Sequence, residues 1–362
     1  MYTAEVKFPQ FGQPGRVLAG YMGLLAEFRR RISEADELRF AHGGDGWRIA
    51  LHRYRPAAGA PPRRHPVILC HGLAANRVTF DLDAEVSLAR RLAGLGFDVY
   101  ALELRSHGVS QAARLAGPRR WGFSFDDYLG HDVPAAIDAV RALSGAPQVH
   151  WIGHSMGGIL LYAHLASGGA SSIASGVAIG SSLDYSGSVS AYHSTLGLRR
   201  YGGLSPVIPV GFALALTEPW NGRAGLALKR FNLWPENVEP HLVRRLHARA
   251  FHSVSTAVLL QLATAFEPGG LRSRDHKRRY LDDLRAASVT TPVLALAGDR
   301  DAQCSVAAAA VPLAALTGRT QLAACGREHG HSSHYGHFDL VIGRRAHLEV
   351  WPAIEGWLAA HD

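Results

Sequence analysis

Ten residues, Val149-His150-Trp151-Ile152-Gly153-His154-Ser155-Met156-Gly157-Gly158, constrain the fold of this chain more than any others. An apolar, strand-like run (Val149 to Ile152) enters a Gly-x-Ser-x-Gly, and a helical run (Gly157 to Ala166) leaves it at once. A turn that sharp presses together the residues two places before and after the serine. Gly153 and Gly157 remove the side chains that would collide there. Such a turn presents the Ser155 hydroxyl at the carboxyl edge of a sheet and aims the next helix's N-terminus at it.

The chain around this turn has the rhythm that a sheet of this kind needs. Glu37 to Ala41 and Trp47 to Tyr54, separated by His42-Gly43-Gly44-Asp45-Gly46, predict a hairpin. Strand-like runs then follow at Val67 to Cys70, Phe97 to Leu104, Val149 to Ile152 and Val177 to Ile179. Helical runs lie between them at about Asp83 to Ala93, Phe125 to Leu143 and Gly157 to Ala166, the last closed by Gly168-Gly169. Further strands are predicted at Pro292 to Ala297 and Thr320 to Ala324, and a helical ending at Leu348 to Leu358. Strands separated by helices argue an α/β fold with a mostly parallel, doubly wound sheet.

Between Leu183 and Ala287 the alternation stops, with helix-like apolar runs and no convincing strand. This divides the chain into a core over 36–183 and 286–362, a helical cap over 184–285, and an N-terminal helical extension over 1–35. In the extension Leu18, Tyr21, Met22, Leu25, Phe28 and Ile32 share one helical face, ahead of or beside Arg29, Arg30 and Arg31. That helix reads as packed on the body, with a peripheral membrane or oligomer contact as the sharper alternative. In the cap, Tyr201 to Thr217 carries no charge but is interrupted by Pro206 and Pro209, so it reads as pocket lining and not as a membrane span.

Composition narrows the function classes. The 362 residues are 47% hydrophobic and 19% charged, a globular balance, and three cysteines (Cys70, Cys304, Cys325) make no disulfide framework. The formal charge is +8, but 35 of the 38 basic residues are arginines in scattered doublets such as Arg63-Arg64 and Arg244-Arg245. A nucleic-acid binder concentrates such charge on one face, so none is expected as a partner. Met1 to Phe11 lacks a basic start followed by an apolar run, which reads as a chain without a secretory signal and a cytoplasmic default.

A hydroxyl is a weak nucleophile near neutral pH and needs a base, which in turn needs an orienting group. On this kind of sheet the chain order is Ser, then Asp or Glu, then His. The strand ending at Ala297 runs into Gly298-Asp299-Arg300-Asp301, which offers two carboxylates. After the last strand come His329, His331, His334 and His337; His337, in Tyr-Gly-His-Phe-Asp, is placed to reach back to the serine. An oxyanion needs two backbone donors. Met156, directly after the serine, offers one, and Leu73 in the loop Cys70-His71-Gly72-Leu73 offers the other, with Gly72 free to take an unusual backbone.

These residues resemble the α/β-hydrolase superfamily over about 36–183 and 286–362. The segments His71-Gly72-Leu73-Ala74-Ala75-Asn76, Gly153-His154-Ser155-Met156-Gly157-Gly158 and Tyr335-Gly336-His337-Phe338-Asp339 look like its lipase and esterase branches, acid-lipase-like members included. The resemblance implies Ser155 as nucleophile, His337 as base, Asp301 in preference to Asp299 as orienter, and Leu73 and Met156 as oxyanion donors. His71, Gly72, Gly153 and Gly157 support the motifs. Unlike many members, this chain has no proline shortly after Asp301.

The expected activity is cleavage of carboxylic esters through an acyl-enzyme. The uncharged run and the aromatic residues Phe212 and Trp220 favour a lipid-like or aromatic acyl group over a highly charged one, in a small-molecule, apolar ester. Acyl transfer, thioester or C–C cleavage on the same residues, and a non-catalytic ligand-binding relative, are the alternatives. Serine at 155 disfavours the dehalogenase and epoxide-hydrolase chemistries, which use Asp there. No phosphate loop or dinucleotide fingerprint occurs, so no cofactor is expected. The histidine run 329–337 lacks a His-Glu-x-x-His and its glycines read as loop, so no metal is expected either.

Overall fold

A computed structural model describes residues 34–187, 205–212 and 229–362. The elements are β1 (Glu37–His42), β2 (Arg48–Tyr54), β3 (Val67–Cys70), α1 (Leu88–Gly94), β4 (Val99–Glu103), α2 (Val133–Ser144), β5 (Val149–His154), α3 (Met156–Ala166) and β6 (Ile173–Ile179). Then follow β7 (Val207–Ile208), α4 (Pro240–Arg249), β8 (Val254–Ser255), α5 (Thr256–Leu262), α6 (Tyr280–Ala286), β9 (Val293–Gly298), α7 (Val306–Leu313), β10 (Thr320–Cys325) and α8 (Trp351–Ala360). Eight strands form one sheet in the order β1-β2-β4-β3-β5-β6-β9-β10. β2 runs antiparallel to both β1 and β4, and every other pairing in this sheet is parallel. The mostly parallel, doubly wound sheet read from the sequence is the one observed.

Helices cover both faces, so β3, β5 and β9 are buried along their whole length. Alternate residues feed opposite cores: Ile68 and Trp151 pack with α2, α3, α6 and α7, while Val67, Leu69 and Ile152 pack with α1, α4 and α8. The parallel strands all point their carboxyl ends at one edge, where β3, β5, β6 and β9 deliver the loops after residues 70, 154, 179 and 298.

Three predicted helices differ in extent. The one predicted from Asp83 starts at Leu88, because Ser87 Oγ accepts the Arg90 N–H (3.1 Å) and Ser87 bridges Asp81. The run Phe125 to Leu143 breaks into a short helix (Phe125–Asp127), a wide π turn (Tyr128–Asp132) and α2. Pro134 has no N–H to donate back into that turn. The predicted ending Leu348 to Leu358 divides into Ala346–Glu349 and α8. The central stretch does contain strand: Val207–Ile208 pairs antiparallel with Val254–Ser255, a ladder too short to register as a periodic pattern. The predicted N-terminal helix falls outside the described residues except for its surroundings at 34–35, as do Trp220 and most of Tyr201 to Thr217. Among the described residues no helix is long and apolar enough to cross a membrane.

Candidate active site

Ser155 follows the last residue of β5 and precedes the first of α3, with φ 53° and ψ −119°. A positive φ is strained for a side chain with a Cβ, by about 1–3 kcal/mol, and persists only where surroundings impose it. Here the Ser155 N–H donates to the Ile179 carbonyl (2.8 Å), and Ser181 Oγ donates to the Ser155 carbonyl (2.8 Å). The glycines are required by space. A Cβ on Gly153 would lie 2.2 Å from the Gly157 carbonyl, and one on Gly157 would lie 2.1 Å from the Cys70 carbonyl. The second contact shows why the turn can approach β3 so closely.

The loop after β3 lies against the serine: a Cβ on Gly72 would come within 2.9 Å of Ser155 Cβ. His71 is fully buried beneath this loop. Its Nε2 accepts the Leu104 N–H (3.2 Å), so Nδ1 carries the proton and donates to the Gly72 carbonyl (2.8 Å). Burial pushes its pKa down to about 4, keeping the ring neutral and this tautomer in place. The loop is tied further by Asn76, whose side chain donates to the Arg249 carbonyl at the end of α4 (2.8 Å). The N–H groups of Leu73 and Met156 have no hydrogen-bond acceptor among the described residues.

The carboxylates and histidines sort into two pairs. Asp301 Oδ2 accepts from His337 Nδ1 (2.7 Å), and its Oδ1 accepts the Gln303 and Cys304 N–H groups (2.8 and 2.9 Å). Asp299 instead takes His334 Nδ1 (2.5 Å) and the Tyr335 N–H (2.9 Å). Both carboxylates sit on the turn after β9, but only Asp301 meets His337. With Nδ1 donating to Asp301, His337 Nε2 is the basic nitrogen; it is buried and has no hydrogen-bond partner among the described residues. His331 turns back to Gly326, and no three donors of the 329–337 run come together among the described residues.

Three further residues hold His337 that motif reading alone did not single out. His154 Nε2 donates to the His337 carbonyl (3.1 Å), and the two rings lie 4.6 Å apart. Burial, then the neighbouring His337, hold the His154 pKa well below its ordinary value. Asp339 is fully buried and accepts the Gly336 and Trp234 N–H groups and the Asn237 amide (2.9, 3.1 and 3.0 Å), which links the histidine loop to 234–237. Burial raises its pKa to about 6. Gly180, at φ 60° after β6, leaves room for the pair: a Cβ there would lie 2.9 Å from His337 Nδ1 and 3.1 Å from Asp301 Oδ2. The signals were a buried-type His inside the serine motif, an Asp two places after His337, and a glycine ending a strand beside the serine strand.

The α/β-hydrolase-fold family model matches residues 65–200. The chain has the α/β-hydrolase fold. Solved structures agree: a hydrolase from Pseudomonas aeruginosa PA01 aligns over 91% of this chain and 99% of its own, with TM-score 0.57 and 18% identity. A thermophilic esterase from Thermogutta terrifontis aligns over 90% and 100%, with TM-score 0.58 and 16% identity. In sequence, the chain is similar to Lipase 1 of Drosophila melanogaster, 35% identical over 117 residues, covering 31% of this chain and 26% of that one. It is similar to human gastric triacylglycerol lipase, 32% identical over 120 residues, covering 31% and 30%. The alignments thus span less than a third of these lipases' length, and the family-model match includes the β3 loop and the serine turn but not Asp301 or His337.

Proposed function

We propose that the protein hydrolyses carboxylic esters through an acyl-enzyme, with Ser155 as nucleophile, His337 as general base and acid, and Asp301 as the group that orients the imidazole. The observation that carries this is the His337–Asp301 pair at 2.7 Å, whose free basic Nε2 belongs to the same sheet edge as the strained Ser155 turn. Ser155 Oγ adds to the ester carbonyl as Nε2 takes its proton. The oxyanion forms against the Leu73 and Met156 N–H groups, which have no acceptor of their own among the described residues. Collapse of the adduct expels the alcohol, protonated by His337, and leaves the acyl group on Ser155. Water, deprotonated by the same nitrogen, then releases the acid.

The acyl group is apolar in this proposal, bound beneath a cap drawn from 184–285. Support comes from the uncharged Tyr201 to Thr217 run, from Phe212, which is 67% exposed, and from the similarity to triacylglycerol lipases over the matched segment. The test is kcat/KM on p-nitrophenyl esters of rising chain length beside a charged ester. A rise with chain length supports the apolar site; equal turnover of long, short and charged esters overturns it. Ser155→Ala separates enzymatic from adventitious hydrolysis.

A further inference from the structure

At the other end of the sheet from Ser155, three chemistry-bearing side chains converge that the ester chemistry does not use. His65 lies just before β3, His150 is the second residue of β5, and Asp362 follows α8. His65 Nδ1 and His150 Nε2 lie 3.6 and 3.5 Å from the same oxygen, Asp362 Oδ1, and all three donor atoms lie within 4.8 Å of one another. The side chains are well buried: His150 is 0% and His65 5% exposed. Yet His150 Nε2 and both His65 ring nitrogens have no hydrogen-bond partner among the described residues. Leaving such a nitrogen unsatisfied in a core costs about 1–3 kcal/mol, so three unsatisfied nitrogens on two rings beside one carboxylate need an explanation.

At 3.6 and 3.5 Å the separations are longer than the 2.7–3.2 Å of a good N–H···O bond and suit a shared ion. A tetrahedral zinc with bonds of 2.0–2.1 Å holds its donors about 3.3 Å apart. The supporting contacts are those a metal site uses. His150 Nδ1 pairs with Ser175 Oγ (2.9 Å), so Nδ1 can hold the proton and leave Nε2 as a lone-pair donor. The carboxylate is fixed by the His65 and Arg64 N–H groups, which donate to Oδ1 and Oδ2 (2.9 and 3.0 Å). Phe97 packs edge-on against His150 (5.9 Å), walling the site on one side, while Asp362, with 12% of its side chain exposed, opens it to solvent.

We propose that His65, His150 and Asp362 form a structural zinc site that joins the C-terminal helix to the starts of β3 and β5. Two imidazoles, one carboxylate and a water complete a four-coordinate set, which zinc accepts without a geometric preference of its own. The ion sits at the amino ends of the strands, away from the loops that carry Ser155, Asp301 and His337, so its role is to hold the fold together and it takes no part in the chemistry.

The test uses full-length, chelator-dialysed protein titrated with Zn²⁺ against a metal indicator, with Co²⁺ substitution read in the visible spectrum. Asp362→Asn and His150→Gln are compared with His329→Gln/His331→Gln, which alters the more exposed histidines. The proposal expects one zinc per chain, cobalt bands of tetrahedral intensity, and a Tm raised by about 3 °C with free zinc a hundredfold above Kd. It expects Asp362→Asn to weaken binding by about 100-fold or more, His150→Gln to abolish the cobalt bands, and the surface double variant to bind as the parent does. Asp362 lies after the last helix, so its variant does not depend on rebuilding a core. Absence of stoichiometric zinc from the parent, or zinc that survives Asp362→Asn and is lost in the surface double variant, overturns the site.

Discussion

Gly180→Ala tests the site at a position outside the recognition motifs. The added Cβ meets His337 Nδ1 and Cε1 at 2.9 Å and Asp301 Oδ2 at 3.1 Å. Ordinary contact begins near 3.4 Å, so the pair has to give by about 0.3–0.5 Å, and the 2.7 Å hydrogen bond between them is what stretches or turns. The φ of 60° adds a backbone cost of about 1–2 kcal/mol for alanine. For 362 residues the unfolding entropy is about 0.8 kcal/mol/K, so Tm falls by roughly 1–3 °C. Catalysis falls much further. A 1 Å misplacement costs about 100-fold, and half that displacement at the group orienting the base gives a kcat loss of about 10-fold or more with KM little changed. The assay is steady-state hydrolysis of a p-nitrophenyl ester beside thermal unfolding. Parental kcat in folded Gly180→Ala protein would refute the dependence of catalysis on this pair.

Further outcomes follow from the same geometry. Asp301→Asn loses about 10⁴-fold in kcat by destabilising the required tautomer, whereas Asp299→Asn, on the pair with His334, loses far less; equal losses would contradict the assignment. Gly157→Ala drives a Cβ to 2.1 Å from the Cys70 carbonyl, so α3 moves off β3 and both activity and Tm drop; an unperturbed variant would contradict the close approach. Gly356 lies inside α8 with nothing within 4 Å of an added Cβ, so Gly356→Ala raises stability by about 0.5–1 kcal/mol, read by denaturant unfolding. Burial lowers His71 from 6.5 to about 4, so its contribution to stability is present above pH 6.5 and is lost as pH falls through 4. Asp339, raised from 3.8 to about 6, acts in the opposite sense: its contribution is present below pH 3.8 and is lost as pH rises through 6. His71→Gln, which can still accept from Leu104 and donate to Gly72, flattens the acid limb of Tm against pH between 6.5 and 4; an unchanged limb would remove His71 as its cause.

The sheet was legible because its signals are local. β3 matches its predicted range of Val67 to Cys70, and the serine turn announces itself by two glycines that tolerate no Cβ. Which carboxylate meets which histidine is not a local signal. Asp299 and Asp301 are two residues apart on one turn, and the histidine run offers each a partner at equal cost in sequence. Only the fold shows that His334 closes on the first and His337 on the second. Helix ends differ from the periodic pattern where a side chain or a proline intervenes, at Ser87 and Pro134. His65, His150 and Asp362 lie too far apart in sequence to form any motif, and only the parallel pairing of β3 with β5 and the return of α8 bring them together.

The most direct test of the central claim is the mass of the intact protein after exposure to a stoichiometric fluorophosphonate, which reacts far faster with an activated serine than with other side chains. The account predicts one adduct per chain, located on Ser155, absent from Ser155→Ala and formed far more slowly by His337→Ala. No adduct on folded parent protein, or an adduct that persists in Ser155→Ala, would contradict it.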